Sequence, residues 1–253
     1  MSNSKAWRTT WGTINWKSAS EKEVLDAVEQ LLRAGAGVKV NIKDDWGDTV
    51  LMRAVSKGYL SVVKRLLTVP DIDVNVKNKG KNTALISAAW NGYTEIVDAL
   101  LSFPGIDVNA ENGYATALSA ASQNGHVRIV KKLLSFPKIN VKTKGVKEAL
   151  EGAEYLKERI LEEERSVRMR YSLPYDSLED NPEVKKQNEI IKMLTKVEKK
   201  IQHRKRLADE LKAVRRNFAS DKMRKAVPNT VQRFQIRHSL VKDLRHISNL
   251  VRE

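Results

Sequence analysis

The sequence predicts an all-α fold: a solenoid of stacked helix pairs with short β-hairpin or turn connections, followed by a basic α-helical hairpin. Two observations support this prediction. The segment LLTVPDIDVN at 66–75 recurs as LLSFPGIDVN at 100–109 and, more loosely, as LLSFPKINVK at 133–142. The apolar residues before each copy recur at helical spacing, and a period of 20 to 50 residues is typical of repeat architectures.

Each unit has five anchor positions, and their spacing from one unit to the next is nearly constant. Thr49, Thr83 and Thr116 come first in their units, and the same types of residue follow each of them at constant offsets. These are Ala54, Ala88 and Ala121, then Gly58, Gly92 and Gly125, then Leu67, Leu101 and Leu134, and finally Val74, Val108 and Val141. The second interval is shorter than the first by a single position, which is lost before Thr116, in the connecting turn, so the helices keep their length.

The second unit shows how one repeat folds. In TALISAAWNG, Leu85 and Ala88 lie on one apolar face of a first helix, which Gly92 ends because glycine tolerates a positive φ. Thr94 is the expected N-cap of the second helix, TEIVDALLS. Pro104 cannot continue that helix, so FPGIDVN leads to the next unit as an extended turn. Neither helix buries its apolar face alone, and stacking of the units does so.

The segments TVLMRAVSKGYLSVVKRLL, TALISAAWNGYTEIVDALL and TALSAASQNGHVRIVKKLL resemble ankyrin repeats, and IDVNVKN and IDVNAEN resemble that family's turn into a hairpin. The resemblance gives three clear repeats in 44–145 and a degenerate one in 21–41, without a recognisable first helix. The family's Thr-Pro-Leu-His is TVLM, TALI and TALS here, which predicts a less stable array because a hydrogen-bonding histidine is lost.

These patterns predict five segments. Residues 1–19 form an N-terminal capping segment that contains tryptophans, and 20–145 form the repeats. A C-terminal capping helix follows at 146–171, because a solenoid's last face must be covered. The prolines in SLPYDSLEDNP predict a linker at 172–182. Residues 183–253 are expected to fold as a basic helical hairpin, since apolar residues follow a heptad-like pattern on both sides of Pro228.

Composition narrows the class of protein. The chain has 253 residues, no cysteine and a net charge of +15, which excludes disulfides and cysteine-bound zinc. It contains no apolar run long enough for a membrane span and no secretory signal at its N-terminus. We therefore expect a cytoplasmic protein, or one in a host cytosol if the protein is an exported effector. Residues 184–253 hold 20 Lys and Arg against 7 Asp and Glu, which gives +13 and favours an acidic partner.

By resemblance, the ends of the first helices and the hairpin tips line a concave groove that binds a protein. Trp90 is the main candidate for an interface hot spot, and the alternative is that its ring packs over its own hairpin. We align Trp90 with Ser56 and Ser122 of the neighbouring repeats. The full set of groove residues is Trp46, Asp48, Arg53, Lys57, Lys81, Asn82, Trp90, Asn91, Tyr114, Gln123 and Asn124.

Three tryptophans, Trp7, Trp11 and Trp16, lie close together near the N-terminus. A helix would place Trp7 and Trp11 on one side, because their spacing is that of one helical turn. We expect the tryptophans to cover the open end of the first repeat. A partner-binding anchor is the alternative.

Two basic clusters, HRKRLADELKAVRR at 203–216 and DKMRKAV at 221–227, follow a helical period. They could form a solvated face, contact the phosphates of RNA or DNA, or dock on an anionic membrane surface or an acidic protein. No sequence-reading nucleic-acid motif accompanies them, so nucleic-acid binding would be salt-sensitive. The candidate polyanion-binding residues are Arg204, Lys205, Arg206, Lys212, Arg215, Arg216, Lys222, Arg224 and Lys225.

No catalytic motif stands out. The four histidines have no metal-ligand or nucleophile–base companion at a recognisable spacing, and His126 matches a structural position of the family. We expect no cofactor, no metal site and no small-molecule substrate. The sequence predicts a non-enzymatic adaptor that binds a protein in its groove and an acidic partner through its basic helices. The alternative is a component of a ribonucleoprotein or similar assembly, and an enzyme within 146–253 is the third hypothesis.

Overall fold

The computed structural model describes residues 11–33, 39–137, 139, 143–171 and 178–219. Its α-helices are α1 (Glu21–Arg33), α2 (Val50–Ser56), α3 (Leu60–Leu66), α4 (Ala84–Asn91), α5 (Thr94–Leu101), α6 (Ala117–Gln123), α7 (Val127–Ser135), α8 (Thr143–Tyr171) and α9 (Pro182–Ala219). Within these ranges helices and turns predominate, and the pairing of extended residues is limited to a bridge between Glu111 and Thr116. The predicted all-α solenoid is confirmed.

The anchor threonines begin the inner helices. Thr49, Thr83 and Thr116 are the N-caps of α2, α4 and α6, and each side-chain oxygen accepts a hydrogen bond from a backbone N–H of the first turn. In α6, Ser119 completes a capping box by accepting from the backbone N–H of Thr116. The third repeat therefore keeps a local hydrogen-bonding group, contrary to our expectation for TALS.

The turn between the helices of a pair ends in a glycine with a positive φ. Gly92 has φ of +77°, as predicted, and caps α4 in the left-handed region. The N-cap of α5 is Tyr93 rather than Thr94, and it makes no side-chain capping bond. Thr94 is already the first helical residue, so the prediction for Thr94 was wrong.

The helix pairs stack into two rows, and each pair with its connecting turn is called a layer below. Helices α2, α4, α6 and α8 pack side by side as an inner row, while α1, α3, α5 and α7 form an outer row. The contact between the rows buries aliphatic side chains and alanines, including Leu85, Ala88 and Leu100. Small residues let neighbouring helices approach closely, which explains why alanine recurs at the same position of every repeat.

Two asparagines at corresponding positions, Asn75 of the IDVN motif and Asn41 of VKVN, each join one layer to the next. Asn75 donates to the carbonyl of Gly105 over 2.8 Å and accepts from the backbone N–H of Asp107 over 2.8 Å. One layer earlier, Asn41 makes the same two bonds to Asp71 and Asp73. Each of these two asparagines therefore satisfies backbone groups of the next exit turn, which is a reason for asparagine to recur at this position.

The N-terminal layer has an outer helix, α1, and a short 3₁₀ turn, Trp11–Thr13, in place of a helix pair. Trp11 is fully buried, and its indole N–H donates to the carbonyl of Lys39 over 3.0 Å. Tyr59 of the next layer donates its hydroxyl to the carbonyl of Ala19. The position of Trp11 agrees with the predicted capping role, whereas Trp7 lies outside the described residues.

The last layer consists of α8 and the first turns of α9. Leu178–Asp180, a 3₁₀ turn, precedes α9, and Asn181 donates to the carboxylate of Glu164 over 2.7 Å. Lys131 of α7 pairs with Glu189 of α9 over 2.5 Å. Gln187 lies against Gly125, where a Cβ would be 2.6 Å from its Nε2. The start of the segment expected to form a hairpin is therefore part of the repeat stack.

The chain divides into two compact units after Leu194, inside α9. In the first unit, Val184, Gln187, Ile190 and Leu194 of α9 are buried. In the second unit α9 continues to Ala219, so the helical prediction for 183–218 is confirmed. The expected second helix of the hairpin, 229–252, lies outside the described residues, and the five-segment division stays a prediction.

Candidate protein-binding groove

A groove of about 550 Å³ lies across the inner row and the turns that precede it. Helix α4 lies at its centre and supplies Trp90 and Asn91, and the flanking turns supply Asn82 and Tyr114. The complete lining is Ser56, Asn82, Ile86, Ser87, Trp90, Asn91, Asn112, Tyr114, Ala115 and Gln123. Five predicted site residues therefore meet in one concave surface, namely Asn82, Trp90, Asn91, Tyr114 and Gln123.

Trp90 lies at the last turn of α4, and half of its surface, 51 %, is exposed. Counting from the N-cap threonines, its equivalents are Ser56 and Gln123, so our alignment with Ser122 was off by one position. Ser122 is fully buried, because α6 packs between α4 and α8. The groove consequently has a small residue, a large aromatic and an amide at the same position of three successive layers.

Tyr114 is the most exposed aromatic of the groove, at 90 %. Asn112 fixes its turn by accepting from the backbone N–H groups of Tyr114 and Ala115 over 2.8 and 2.7 Å. The ring therefore extends from a backbone held in place by hydrogen bonds. A preorganised aromatic side chain is a typical anchor for a protein partner, since little entropy is lost on binding.

Trp46, which is 67 % exposed, lies in the first turn and does not line the described groove. The guanidinium of Arg53 lies 5.0 Å from the centre of its ring and also forms an ion pair with Asp44, whose side chain is buried. Asp48 pairs with Arg53 over 3.6 Å and accepts from Asn78. Arg53 and Asp48 therefore hold the first turn together.

Hydrogen bonds between asparagines connect the turns. Asn112 donates to Asn82 over 2.6 Å, just as Asn78 donates to Asp48 over 2.8 Å. Sequence reasoning missed Asn78 and Asn112, although both follow the asparagine of an IDVN motif at the same short offset. That recurrence was the available signal. These bonds set the spacing of the groove's rim.

The remaining predicted groove residues differ in position. Lys57 and Lys81 are exposed, and Lys81 adopts a positive φ of 59°. The amide of Asn91 donates to the carbonyl of Ser87, and that of Asn124 to the carbonyl of Ala120. Asn124 is half-buried and is absent from the described lining. Gln123 packs against Gly152 of α8, which closes the groove on that side.

The second compact unit contains the first basic cluster. Lys205, Arg206 and Lys212 are exposed on α9, and Arg204 is half-buried. Arg206 pairs with Glu210 over 3.1 Å, and Lys212 with Asp209 over 3.5 Å. Two members of the predicted set, Arg215 and Arg216, are in the helix, but their side chains are outside the described part. Lys222, Arg224 and Lys225 lie outside the described residues.

Two carboxyl groups with lowered pKa values, those of Glu29 and Glu179, lie outside the groove. The Arg65 guanidinium, hydrogen-bonded to Glu29, lowers the pKa of that carboxyl. Hydrogen bonds from Asn188 and Lys157 lower the pKa of Glu179. Within the described part of the chain, no three or more acidic or histidine side chains converge as a metal site would require, and no helix is long and apolar enough to cross a membrane.

His126 has the structural role that its position predicted. It precedes α7, and its Nε2 lies 3.0 Å from the carbonyl oxygen of Trp90 in the preceding layer. Its ring also covers Gly92, where a Cβ would come within 2.5 Å of the imidazole. Tyr93 covers Gly58 in the same way one layer earlier. The residues before α3, α5 and α7, namely Tyr59, Tyr93 and His126, therefore each contact the preceding layer.

Comparison with known families agrees with this geometry. A family model described as ankyrin repeats in three copies matches residues 17–112, and a single ankyrin repeat model matches residues 114–144. No curated protein matches the chain. The family matches give four repeats, the degenerate unit containing α1 included. Ankyrin repeats are protein–protein interaction modules and are typically non-enzymatic. This chain belongs to the ankyrin repeat family, because its layers stack, threonines cap its inner helices α2, α4 and α6, and the matching family models together span half of the sequence.

Proposed function

We propose that the protein is a non-enzymatic adaptor that binds one protein in its groove and an acidic partner through the basic part of α9. The observation that carries the proposal is the groove itself, where the exposed rings of Trp90 and Tyr114 meet asparagine, glutamine and serine side chains in one concave surface. Aromatic side chains supply much of the binding energy at protein interfaces.

The construction of the groove supports a binding role. Its helices begin at capped threonines, and its turns are tied to one another through Asn82 and Asn112. A surface that is already ordered loses little conformational entropy when a partner binds. This favours recognition by a preformed groove.

The basic part of α9 supports the second half of the proposal. Lys205 is exposed beside Arg204, and residues 184–253 carry a formal charge of +13. Such a field attracts acidic surfaces and raises association rates at low salt. The same charge also favours the alternative, contact with the phosphates of a nucleic acid in a larger assembly.

The groove is tested by affinity capture with the full chain and the double variant Trp90→Ala, Tyr114→Ala. We expect partner recovery to fall at least tenfold, because both anchors are lost, while circular dichroism stays unchanged, because Tyr114 is almost fully exposed and Trp90 is half-exposed. Tyr155→Ala is the control, since Tyr155 is an exposed aromatic, 70 %, on α8 and outside the described lining of the groove. Equal recovery by the double variant would refute the groove hypothesis.

The basic helix is tested by titration with generic single-stranded RNA and with an acidic protein at several salt concentrations. Charge reversal at two exposed positions, Lys205→Glu and Arg206→Glu, should weaken binding of the acidic protein and leave groove capture intact. RNA affinity that falls steeply with rising salt would favour the nucleic-acid alternative instead. Absence of binding to either probe would refute docking through this helix.

A further inference from the structure

The wall of the groove carries no charge. None of the ten described residues that line it is acidic or basic, although 30 % of the whole chain is charged. A charged side chain placed there would lose its water without gaining an opposite charge, which is unfavourable. The wall therefore selects an occupant that is uncharged where it contacts α4.

Several polar side chains of the wall have hydrogen-bond donors or acceptors that are not used in the described hydrogen bonds. Among the hydrogen bonds that the structure describes, none involves the side chains of Gln123 or Ser87, and Asn91 uses only its amide N–H. By contrast, the side-chain amide of Asn112 already uses both its N–H, which donates to Asn82, and its oxygen, which accepts from its own turn. An amide offers both a donor and an acceptor, as a peptide backbone does. Gln123 and Asn91 are thus suited to pair with the main chain of an extended segment.

The apolar surface of the groove is concentrated at one place. Trp90 and Tyr114 expose their rings, and the buried side chain of Ile86 lies in the lining with them. Aromatic faces of this kind bind large apolar side chains, with rings in offset or edge-to-face contact. One aromatic or large aliphatic side chain of the occupant would find its contacts here.

Positive charge appears only outside the wall. Lys57 follows α2, and Lys81 lies beside Asn82 in the turn before α4. Both are exposed, and neither takes part in an ion pair within the described ranges. Carboxylates that flank an uncharged core would meet these two ammonium groups while remaining partly hydrated, so their desolvation would cost little.

We infer that the groove binds a short, extended protein segment with an uncharged core, one aromatic or large aliphatic side chain in that core, and Asp or Glu beside it. The inference rests on the proposed function, since it specifies the partner of the same groove. The neutral core of the segment contacts α4 and Gln123, and its acidic flank pairs with Lys57 and Lys81.

The probe is a displayed library of short random peptides, selected on the full chain and counter-selected on the Trp90→Ala, Tyr114→Ala variant. We expect enrichment of sequences in which several uncharged residues surround one aromatic or aliphatic residue, with Asp or Glu outside this core and Lys and Arg depleted. Enriched peptides with a charged core, or no enrichment over the double variant, would overturn the inference.

A synthetic peptide from the selection then tests the wall directly. Gln123→Glu keeps the shape of the side chain and puts a carboxylate in the wall, so the dissociation constant should rise at least tenfold. Asn91→Asp, at a more exposed position of the same wall, should act in the same direction. Gln30→Glu on the exposed side of α1 is the matched control. Equal affinity for all three variants would overturn the inference.

The two hypotheses fail in different ways. If protein capture depends on Trp90 and Tyr114 but the peptide selection gives charged cores or nothing, the proposed function stands and the neutral-segment inference falls. If capture is indifferent to Trp90 and Tyr114, both fall.

Discussion

A glycine lies in the turn between the helices of each pair from α2 to α7, and different types of residue cover it in the middle layers and in the last layer. In the middle layers, Gly58 lies under the ring of Tyr93, and Gly92 under that of His126, which also meets the carbonyl of Trp90. In the last layer, Gly125 lies under Gln187, whose amide oxygen and nitrogen are both buried without a hydrogen-bond partner among the described residues.

The difference shows that one packing position can be filled by residues of different chemistry. The ring of His126 covers Gly92 and places its Nε2 3.0 Å from the carbonyl oxygen of Trp90, and the ring of Tyr93 covers Gly58. Gln187 packs over Gly125 without making a described hydrogen bond there. An amide buried without hydrogen-bond partners lowers the stability of the fold. The last layer should therefore be the less tightly bound end of the same architecture.

The largest expected effect comes from filling the space under His126. Gly92→Ala adds a methyl group that would meet the imidazole at 2.5 Å, and it forces alanine to a φ of +77°. A positive φ costs an L-residue about 1–2 kcal/mol, and overpacking costs a further ~1–3 kcal/mol. Urea unfolding should show a loss of about 2–5 kcal/mol, the sum of the two contributions.

Gly105→Ala is the control for this prediction. Gly105 has a similar φ of +82°, but no atom lies within 4 Å of the position that its Cβ would take. This variant should lose only the backbone contribution, about 1–2 kcal/mol. Equal losses in the two variants would show that contact with His126 contributes nothing to the stability of the middle layers.

The next effect has the opposite sign and belongs to the last layer. Gln187→Met keeps the length of the side chain and removes both unpartnered polar atoms. The unfolding free energy should rise by about 1–2 kcal/mol, within the usual cost of burying an unsatisfied polar group. Gln202→Met on the exposed surface of α9 should leave it unchanged. A loss of stability in Gln187→Met would mean that the amide is better satisfied than the geometry indicates.

The comparison also explains what could be predicted without coordinates. The middle layers repeat at a nearly constant interval, so Gly92 and the turn that it forms were recognisable from the spacing. His126 follows Gly92 at this same interval, whereas Gln187 follows Gly125 at almost twice the distance in sequence. The length of α8 breaks the period, and α9 has no threonine or IDVN anchor. The first turns of α9 were therefore assigned to a separate hairpin, whereas α8 was predicted as the capping helix.

The groove was predictable to a similar extent. The resemblance located Trp90, Tyr114 and Gln123, because their positions follow from the repeat anchors. It also selected Arg53 and Asp48, and no pattern in the sequence indicated that a buried partner, Asp44, would hold Arg53 in the first turn. Contacts of this kind depend on how side chains are oriented once the turns and helices have folded. One-dimensional spacing does not contain that information.

The smallest expected effect is a loss of stability at low pH, which should appear at the two ends of the stack and not in its middle. Hydrogen bonds from Arg65 lower the pKa of Glu29 in α1, and those from Asn188 and Lys157 lower that of Glu179 before α9. A lowered pKa in the folded state means that each ionised carboxylate stabilises its layer above the unfolded pKa of about 4.5. The contribution is lost as the pH falls below that value through the folded pKa.

Hydrogen exchange at pH 6 and at pH 3.5, with each rate compared with the intrinsic rate at that pH, would show this loss as lower protection at both ends of the stack, in α1 and at the start of α9, and little change in α4. Glu29→Gln should reduce the pH dependence in α1 and leave that in α9, and Glu179→Gln should do the reverse. Part of the dependence in α1 remains in Glu29→Gln, because hydrogen bonds from Ser20 also lower the pKa of Glu23. Glu179 is exposed and Glu29 is half-buried at the surface, so screening keeps the effects small. Acid-induced exchange that begins in α4 instead would show that the middle layers, and not the ends, limit the stability of the array.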